Sequence, residues 1–324
     1  MHCQDLEVLT QVQRWLAKGE NPWLCTVTQT IGSSPRPVGS LLAVCNSELI
    51  GSLSGGCVED DLLEKLAAGS FRGTKPALCQ YGLQPEENER LGLPCGGTMQ
   101  VLVEQLKPSK ATWVDQAVTA IQTRKCVVRE LCLNTGKTTL HAVPNFEPMR
   151  VADDKMRQCF GPRKRLLLVG AGQLARTVSS LALALDYEVV VTDPREQLLA
   201  DWSGPNVERV LGLPDDVILQ QQIDADTAII TLTHDPRIDD MALLEALESN
   251  AGYVGALGSL RTSDARRSRL QALGLSDEAI SRLHAPVGLA IGSKTPWEIA
   301  VAIMAELTQQ QRQSTGDAIS TLHR

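Results

Sequence analysis

Apolar residues at positions 6, 9, 12, 15 and 16 fall on one helical face, and Gly19 to Pro22 closes that stretch. The spacing predicts a helix followed by a strand over Trp23 to Thr28. Leu41 to Cys45 and Leu49 to Ser52, separated by Asn46 and Ser47, read as a hairpin. Val58 to Ala68 then returns to helical periodicity and stops at Gly69. A strand over Thr98 to Glu104, a helix over Ala111 to Thr123 and short strands near Val127 to Leu133 and Thr138 to Ala142 complete an expected α+β domain over 1–143. Pro144, Pro148 and Pro162 interrupt a charged stretch, so 144–164 is expected to be a linker.

The pattern changes at Arg165. Leu166 to Val169 is a continuous apolar run that enters a glycine turn and then a helical stretch, and Glu188 to Asp193 is the next strand. Thr227 to Leu232 and the helical pattern of Ile238 to Glu248 continue the alternation. A Rossmann-like, doubly wound parallel-sheet domain over 165–324 is the expectation, and the overall class is α/β. Thr295-Pro296-Trp297-Glu298 has the form of a capping box with proline at the first helical position, launching a helix through Leu307.

Composition removes several functional classes. The 324 residues include 38 acidic and 31 basic side chains, a net charge of −7, which argues against a nucleic-acid partner. No apolar run approaches the roughly 20 residues of a membrane span, and the N-terminus carries no signal-like pattern, so no membrane partner and a cytoplasmic location are expected. Nine cysteines, an odd number with no Cys-x-x-Cys pair, read as reduced thiols and give no zinc spacing.

Three glycine-rich turns carry the candidate chemistry of the N-terminal half. Gly51-Ser-Leu-Ser-Gly55-Gly56-Cys57-Val-Glu59 places a thiol between paired glycines and a helix start, where backbone N–H groups favour anions and a thiol can meet a ligand. Gly32-Ser-Ser-Pro-Arg36 and Cys95-Gly96-Gly97 flank it in sequence, and three such turns suggest one shared site. Cys25 and Cys45 lie within strands and read as packing groups, whereas Cys57 and Cys95 sit beside glycines outside strand interiors.

In the second half, Gly170-x-Gly172-x-x-Ala175 follows a strand and opens a helix, with Asp193 at the end of the next strand. That is the dinucleotide pattern, in which Asp193 is the candidate acceptor for ribose hydroxyls; a Rossmann-like fold with no nucleotide is the plain alternative. Arg195 could meet a phosphate, which leaves NAD against NADP open. His234 and Asp235 follow a strand end, and there a loop hydrogen bond and a helix cap are favoured over a metal site. Gly288 to Thr295 departs from the Walker spacing and reads as a structural turn, with phosphate binding second. Arg261, Arg266, Arg267 and Arg269 read as a solvated helix face.

Taken in order, Gly32 to Arg36, Gly51 to Glu59, Cys95 to Gly97, Gly170-Ala-Gly172, Thr233-His-Asp235, Tyr253 to Ser259 and Pro286 to Gly292 with Thr295 to Glu298 resemble the signatures of the XdhC/CoxI group of molybdoenzyme maturation factors. The resemblance spans nearly the whole chain, although many members carry histidine where this chain has Gln173. It implies a chaperone, rather than the dehydrogenase itself, that binds the molybdenum cofactor as cargo, protects it while a sulfido ligand is installed, and inserts it into an apo-xanthine dehydrogenase. A cysteine desulfurase or sulfurtransferase is the implied second partner, and a homodimer is compatible with it. The implied cargo site comprises Arg36, Gly55, Gly56, Cys57, Glu59, Cys95, Gly96 and Gly97 near the cleft between domains, with Cys57 as the sulfur ligand to molybdenum; Gly170, Gly172 and Asp193 form the second glycine site. The competing expectation is an NAD(P)-dependent oxidoreductase built on Gly170, Gly172 and Asp193.

Overall fold

The computed structural model describes residues 3–32, 36–46, 48–71, 75–83, 97–144 and 146–314. Two compact units divide at Pro162 and Arg163. Among the described residues, no helix is long and apolar enough to cross a membrane.

In the first unit, helix α1 (Cys3–Ala17) precedes strands β1 (Trp23–Ile31), β2 (Leu41–Cys45) and β3 (Glu48–Gly51). Helix α2 (Cys57–Ala67), β4 (Ala77–Tyr81), β5 (Thr98–Gln105) and helix α3 (Trp113–Gln122) follow. The sheet has the order β3-β2-β1-β5-β4, antiparallel throughout. Because side chains alternate along a strand, one face buries Leu24, Leu41 and Ala43 against Val8, Leu9 and Val12 of α1 and Val114 and Val118 of α3. The other face buries Cys25, Val27, Leu42, Val101 and Val103 against Val58 and Leu62 of α2. Cys25 and Cys45 are buried strand residues, as their pattern suggested, and burial pushes the Cys45 thiol up to about 11, with a hydrogen bond to Glu20 adding to it.

A second, four-stranded antiparallel sheet belongs to the same unit. It contains β6 (Cys126–Cys132), β7 (Thr138–Val143), β8 (Arg150–Ala152) and β9 (Lys155–Phe160) in the order β7-β6-β9-β8. The 144–164 interval expected as a linker therefore contains two strands, with Val128 opposite Cys159 and Leu131 opposite Met156. Prolines 144, 148 and 162 fall outside those strands; the first two mark connections within the first unit, and Pro162 alone stands at the division between the units. Strand β4 also escaped the sequence reading; its alternating half-buried and exposed positions carry a weak apolar signal.

The second unit begins with β10 (Arg165–Val169), α4 (Gln173–Ala184), β11 (Glu188–Asp193), α5 (Glu196–Ala200), β12 (Glu208–Leu211) and α6 (Pro214–Gln220). It continues through β13 (Thr227–Thr231), α7 (Pro236–Glu248), β14 (Tyr253–Ala256), α8 (Leu260–Ala272), α9 (Asp277–Ser281), β15 (Leu283–His284) and α10 (Pro296–Ser314). All neighbours in the sheet β12-β11-β10-β13-β14-β15 run parallel. Leu166, Leu168, Val189 and Ile230 pack on one side with α4 and α10, while Leu167, Val169, Val190 and Ile229 pack on the other with α6, α7 and α8. Strands covered on both faces explain the uninterrupted apolar runs.

Of the four arginines of α8, Arg261 is exposed as expected, but the other three do not form a solvated face. Arg266 is buried, with Nη2 3.0 Å from Asp239 Oδ2, and Arg269 Nε lies 2.5 Å from Asp240 Oδ2. Arg267 donates to the carbonyls of Leu283 and Ala285. The carboxylate partners of Arg266 and Arg269 come from α7, one helix earlier, a pairing that spacing within α8 cannot disclose.

Candidate functional site

Antiparallel pairing gathers the glycine turns of the first unit at one end of its larger sheet. Strand β1 ends there at Ile31, β2 begins at Leu41, β3 ends at Gly51, β4 ends at Tyr81 and β5 begins at Thr98, opposite Ile31. A Cβ placed on Gly32 would lie 3.3 Å from Gly97 Cα, so the first and third turns touch backbone to backbone. Helix α2 starts at this end with Cys57, because its last turn, at Leu66 and Ala67, lines a cavity with Trp23, Asn46 and Gln105 at the opposite end. Arg36 lies half-buried in the turn between β1 and β2. Cys95 and Gly96 lie outside the described residues; Gly97 is buried.

Glu59 has a different task from the one its motif suggested. Its Oε1 accepts hydrogen bonds from Ser52 Oγ at 2.9 Å and from the backbone N–H groups of Leu53, Ser54 and Gly55 at 2.8, 2.9 and 2.9 Å. Its Oε2 accepts from Gly56 N at 3.0 Å and from Ser54 Oγ. Burial by itself pushes this acid up, but the Ser54, Gly55 and Leu53 bonds outweigh it and hold Glu59 at about 2. The glycine turn is therefore an anion cradle filled by the chain's own carboxylate. Glu59 shapes the loop and offers no carboxylate oxygen to a cargo, and the N–H groups of residues 53–56 are committed to it.

What the cradle presents outward is Cys57. Its side chain is exposed at the first helical position, and Cβ atoms added at Gly55 or Gly56 would meet nothing within 4 Å. Gly55 has φ +93°, a conformation that favours glycine, whereas Gly56, at φ 168°, is extended and is glycine for space rather than for conformation. Among the described residues, no group of three or more His, Cys, Asp or Glu side chains is arranged to hold a metal ion by itself.

The second unit holds a cavity of about 630 Å³ at the carboxyl ends of β10 and β13, lined by Gly170, Gly172, Arg195, Thr233, His234 and Arg237 among others. This is where a parallel sheet exposes strand ends and a helix N-terminus together. Gly170 has φ +110°, and a Cβ there would lie 2.8 Å from Thr233 Cγ2, so the tight turn falls at this glycine. Gly172, at φ −77°, caps α4 with open space beside it. Asp193 is fully buried and accepts from Ala171 N at 2.8 Å and from Arg195. The carboxylate expected as an acceptor for ribose hydroxyls thus has both oxygens engaged within the chain and no exposed surface. Burial raises its pKa, yet the Arg195 and Ala171 hydrogen bonds prevail and hold it below the usual carboxylate range.

Asp235 caps α7, accepting from Arg237 N at 3.0 Å, and Thr233 Oγ1 lies 2.6 Å from Asp239 Oδ1. The turn before α10 repeats the pattern of Glu59: Glu298 Oε2 accepts from Lys294 N at 2.7 Å and Thr295 N at 2.9 Å. An internal carboxylate again takes the backbone donors that a phosphate would need. The cap on α7 and the architectural turn at 288–295 were legible in sequence, whereas Arg195's place on the cavity wall was signalled only by its position two residues past the strand-end acid.

Both units carry sequence signatures shared with known proteins. The chain matches the XdhC and CoxI family over residues 15–82 and the XdhC Rossmann domain over residues 166–307. A protein from Bacillus subtilis, named as a probable xanthine dehydrogenase subunit, is 26% identical over 332 residues, covering 94% of this chain and 97% of the relative. One named molybdenum cofactor insertion chaperone PaoD, from Escherichia coli, is 28% identical over 305 residues, covering 90% and 84%. A crystal structure described as a xanthine dehydrogenase from Bacillus halodurans has a TM-score of 0.75 at 24% identity and 98% coverage of both chains, a likeness of fold. With one signature on its antiparallel sheet and the other on its parallel sheet, the chain belongs to the XdhC/CoxI family.

Proposed function

We propose that this chain is a maturation factor that holds the molybdenum cofactor as cargo, protects it during sulfuration and inserts it into an apo-enzyme of the xanthine dehydrogenase type. The observation that carries the reading is the gathering of the Gly32, Gly51 to Cys57 and Gly97 turns at one sheet end, with an exposed thiol at the start of α2. The names of the Escherichia coli and Bacillus subtilis relatives supply the cargo and the recipient class. In this reading Cys57 is the soft ligand toward molybdenum, Gly55 and Gly56 leave room for the pterin, and Arg36 faces its phosphate. Gly97 belongs to the same rim, and Cys95 and Gly96, which lie outside the described residues, stay in the proposed cargo set through the sequence signature alone. Sulfuration requires a sulfur donor of the cysteine desulfurase or sulfurtransferase class as a second partner, and a homodimer would pair two cargo sites.

Anaerobic incubation with purified cofactor, desalting and molybdenum analysis provides the test. Near-stoichiometric retention by the wild-type chain and its loss in Cys57→Ala are expected. A wild-type chain that emerges free of molybdenum sinks the proposal. The cavity at Gly170 and Gly172 favours a second reading, an NAD(P)-dependent oxidoreductase, which predicts substrate-dependent NAD(P)H oxidation. The cargo reading predicts none.

A further inference from the structure

The cavity in the parallel-sheet unit carries chemistry that cargo binding on the antiparallel sheet leaves unused. In folds of this type the adenosine ribose lies against the end of the second strand, where an acid accepts its two hydroxyls or an arginine meets a 2′-phosphate. Both residue types are present here, and the hydrogen bonds decide between them. Asp193 Oδ1 accepts from Arg195 N at 2.9 Å and Arg195 Nε at 2.8 Å, while Oδ2 accepts from Ala171 N at 2.8 Å and Arg195 Nη2 at 2.9 Å. A carboxylate has about four lone-pair sites, and all four are filled. Asp193 also has no exposed surface. A ribose diol would find neither an acceptor nor access.

Arg195 shows the opposite balance. Its side chain remains 47% exposed and lines the cavity, while the fork to Asp193 engages Nε and Nη2 and leaves Nη1 outside it. The buried acid thus presents a guanidinium at the place where a diol-reading carboxylate would stand. Gly172, with open space where a side chain would be, lets a pyrophosphate approach the start of α4. Across the cavity stand His234, Asp235 and Arg237, the last forked to Asp235 at 3.0 and 2.8 Å.

We propose that this cavity binds a nucleotide bearing a 2′-phosphate on its adenosine ribose, of the NADP(H) type, and that Arg195 selects it. Asp193 acts through Arg195 as a positioning residue. The inference is independent of the cargo reading, since it concerns only the parallel-sheet unit.

Calorimetric titration of the full chain with 2′,5′-ADP and with 5′-ADP separates phosphate position from phosphate number, because the two are isomers. Fluorescence titrations with NADPH and NADH repeat the comparison on whole dinucleotides. The 2′-phosphorylated member of each pair should bind at least about tenfold tighter, the effect of one charge-assisted contact, and the ratio should shrink as salt is raised. Arg195→Ala should bring the ratio to one or invert it, because the vacated Asp193 oxygens then become available to hydroxyls. Arg195→Lys keeps the charge without the fork and should keep only part of the preference. Equal affinity of the wild-type chain for 2′,5′-ADP and 5′-ADP overturns the proposal, as does failure of all four nucleotides to bind at millimolar concentration. If Arg195→Ala does not fold, the wild-type comparison of the two isomers decides alone.

Discussion

The turn at Gly51 to Cys57 and the turn at Gly170 to Gln173 look alike as sequence, each a glycine pair between a strand and a helix, yet they solve opposite problems. In the first, Glu59 gathers four backbone N–H groups and two hydroxyls, so the loop's own anion consumes the cradle and an exposed thiol is left at the helix start. In the second, Asp193 takes one backbone N–H of the glycine turn and spends its remaining capacity on Arg195, and a cavity of about 630 Å³ stays open. A glycine turn at a helix start becomes an anion site only where no nearby carboxylate fills it first. The residue that decides lies within the first turn of the following helix in one case and at the end of the following strand in the other.

The largest expected effect breaks the filled cradle. Glu59→Ala strands the four backbone N–H groups of residues 53–56 and should cost about 3 kcal/mol in urea or thermal unfolding, together with loss of cargo retention. A change below about 1 kcal/mol would mean that the loop holds its shape without its internal anion.

Second, Gly170→Ala should cost about 2 kcal/mol, since it forces a side chain to φ +110° against Thr233. Gly172→Ala, at an ordinary φ with open space, should stay within about 0.5 kcal/mol of wild type while weakening nucleotide binding. Equal thermal stabilities for these two variants would erase the distinction between a glycine kept for its turn and one kept for a ligand.

Acid titration sharpens the contrast further. The folded value for Glu59, about 2, lies below its ordinary 4.5, so the unfolded chain binds the proton more tightly. Its contribution, roughly 2 kcal/mol after solvent screening, is complete above pH 4.5 and is lost as the pH falls from there toward 2. Asp239 beneath the cavity runs the other way: burial dominates and pushes it up to about 6 despite Thr233 and Arg266, so it adds stability as the pH falls from about 6 toward 3.8. Denaturant melts across this range should show Glu59→Gln flattening the slope below pH 4.5 and leaving the slope above it unchanged. A flattening confined to pH above 4.5 would contradict the assignment.

The smallest change in stability is expected for Cys57→Ala, within about 0.5 kcal/mol, because an exposed side chain with no packing neighbours at the adjoining glycines contributes little to the fold. Its effect should appear only as lost molybdenum. A destabilised variant would make Cys57 a structural thiol and separate the two turns less cleanly.

Period and turn chemistry, which act over a few residues, were enough to place α1, β1, the β2–β3 hairpin, α2, β10, α4 and the parallel character of the second unit from sequence alone. The glycine clusters and the position of Cys57 at a strand-to-helix corner were equally local and equally legible. Strands β8 and β9 were not, because their identity rests on pairing with β6 and with each other, and short segments between prolines carry little periodic signal. Nor was the fate of Glu59, Asp193, Arg266 and Arg269. Each is a charged residue that in sequence reads as exposed or as a ligand; Arg266 and Arg269 find their carboxylates on a neighbouring helix, whereas Glu59 and Asp193 are taken up mainly by near neighbours in sequence once the local turn closes around them. The chain's sequence determines which residues can bind an anion or a metal, since that is a property of side-chain chemistry. Tertiary structure decides which of them remain available, because a buried charge must be paired before the protein can hold it, and the pairing consumes the donors and acceptors that a ligand would otherwise use.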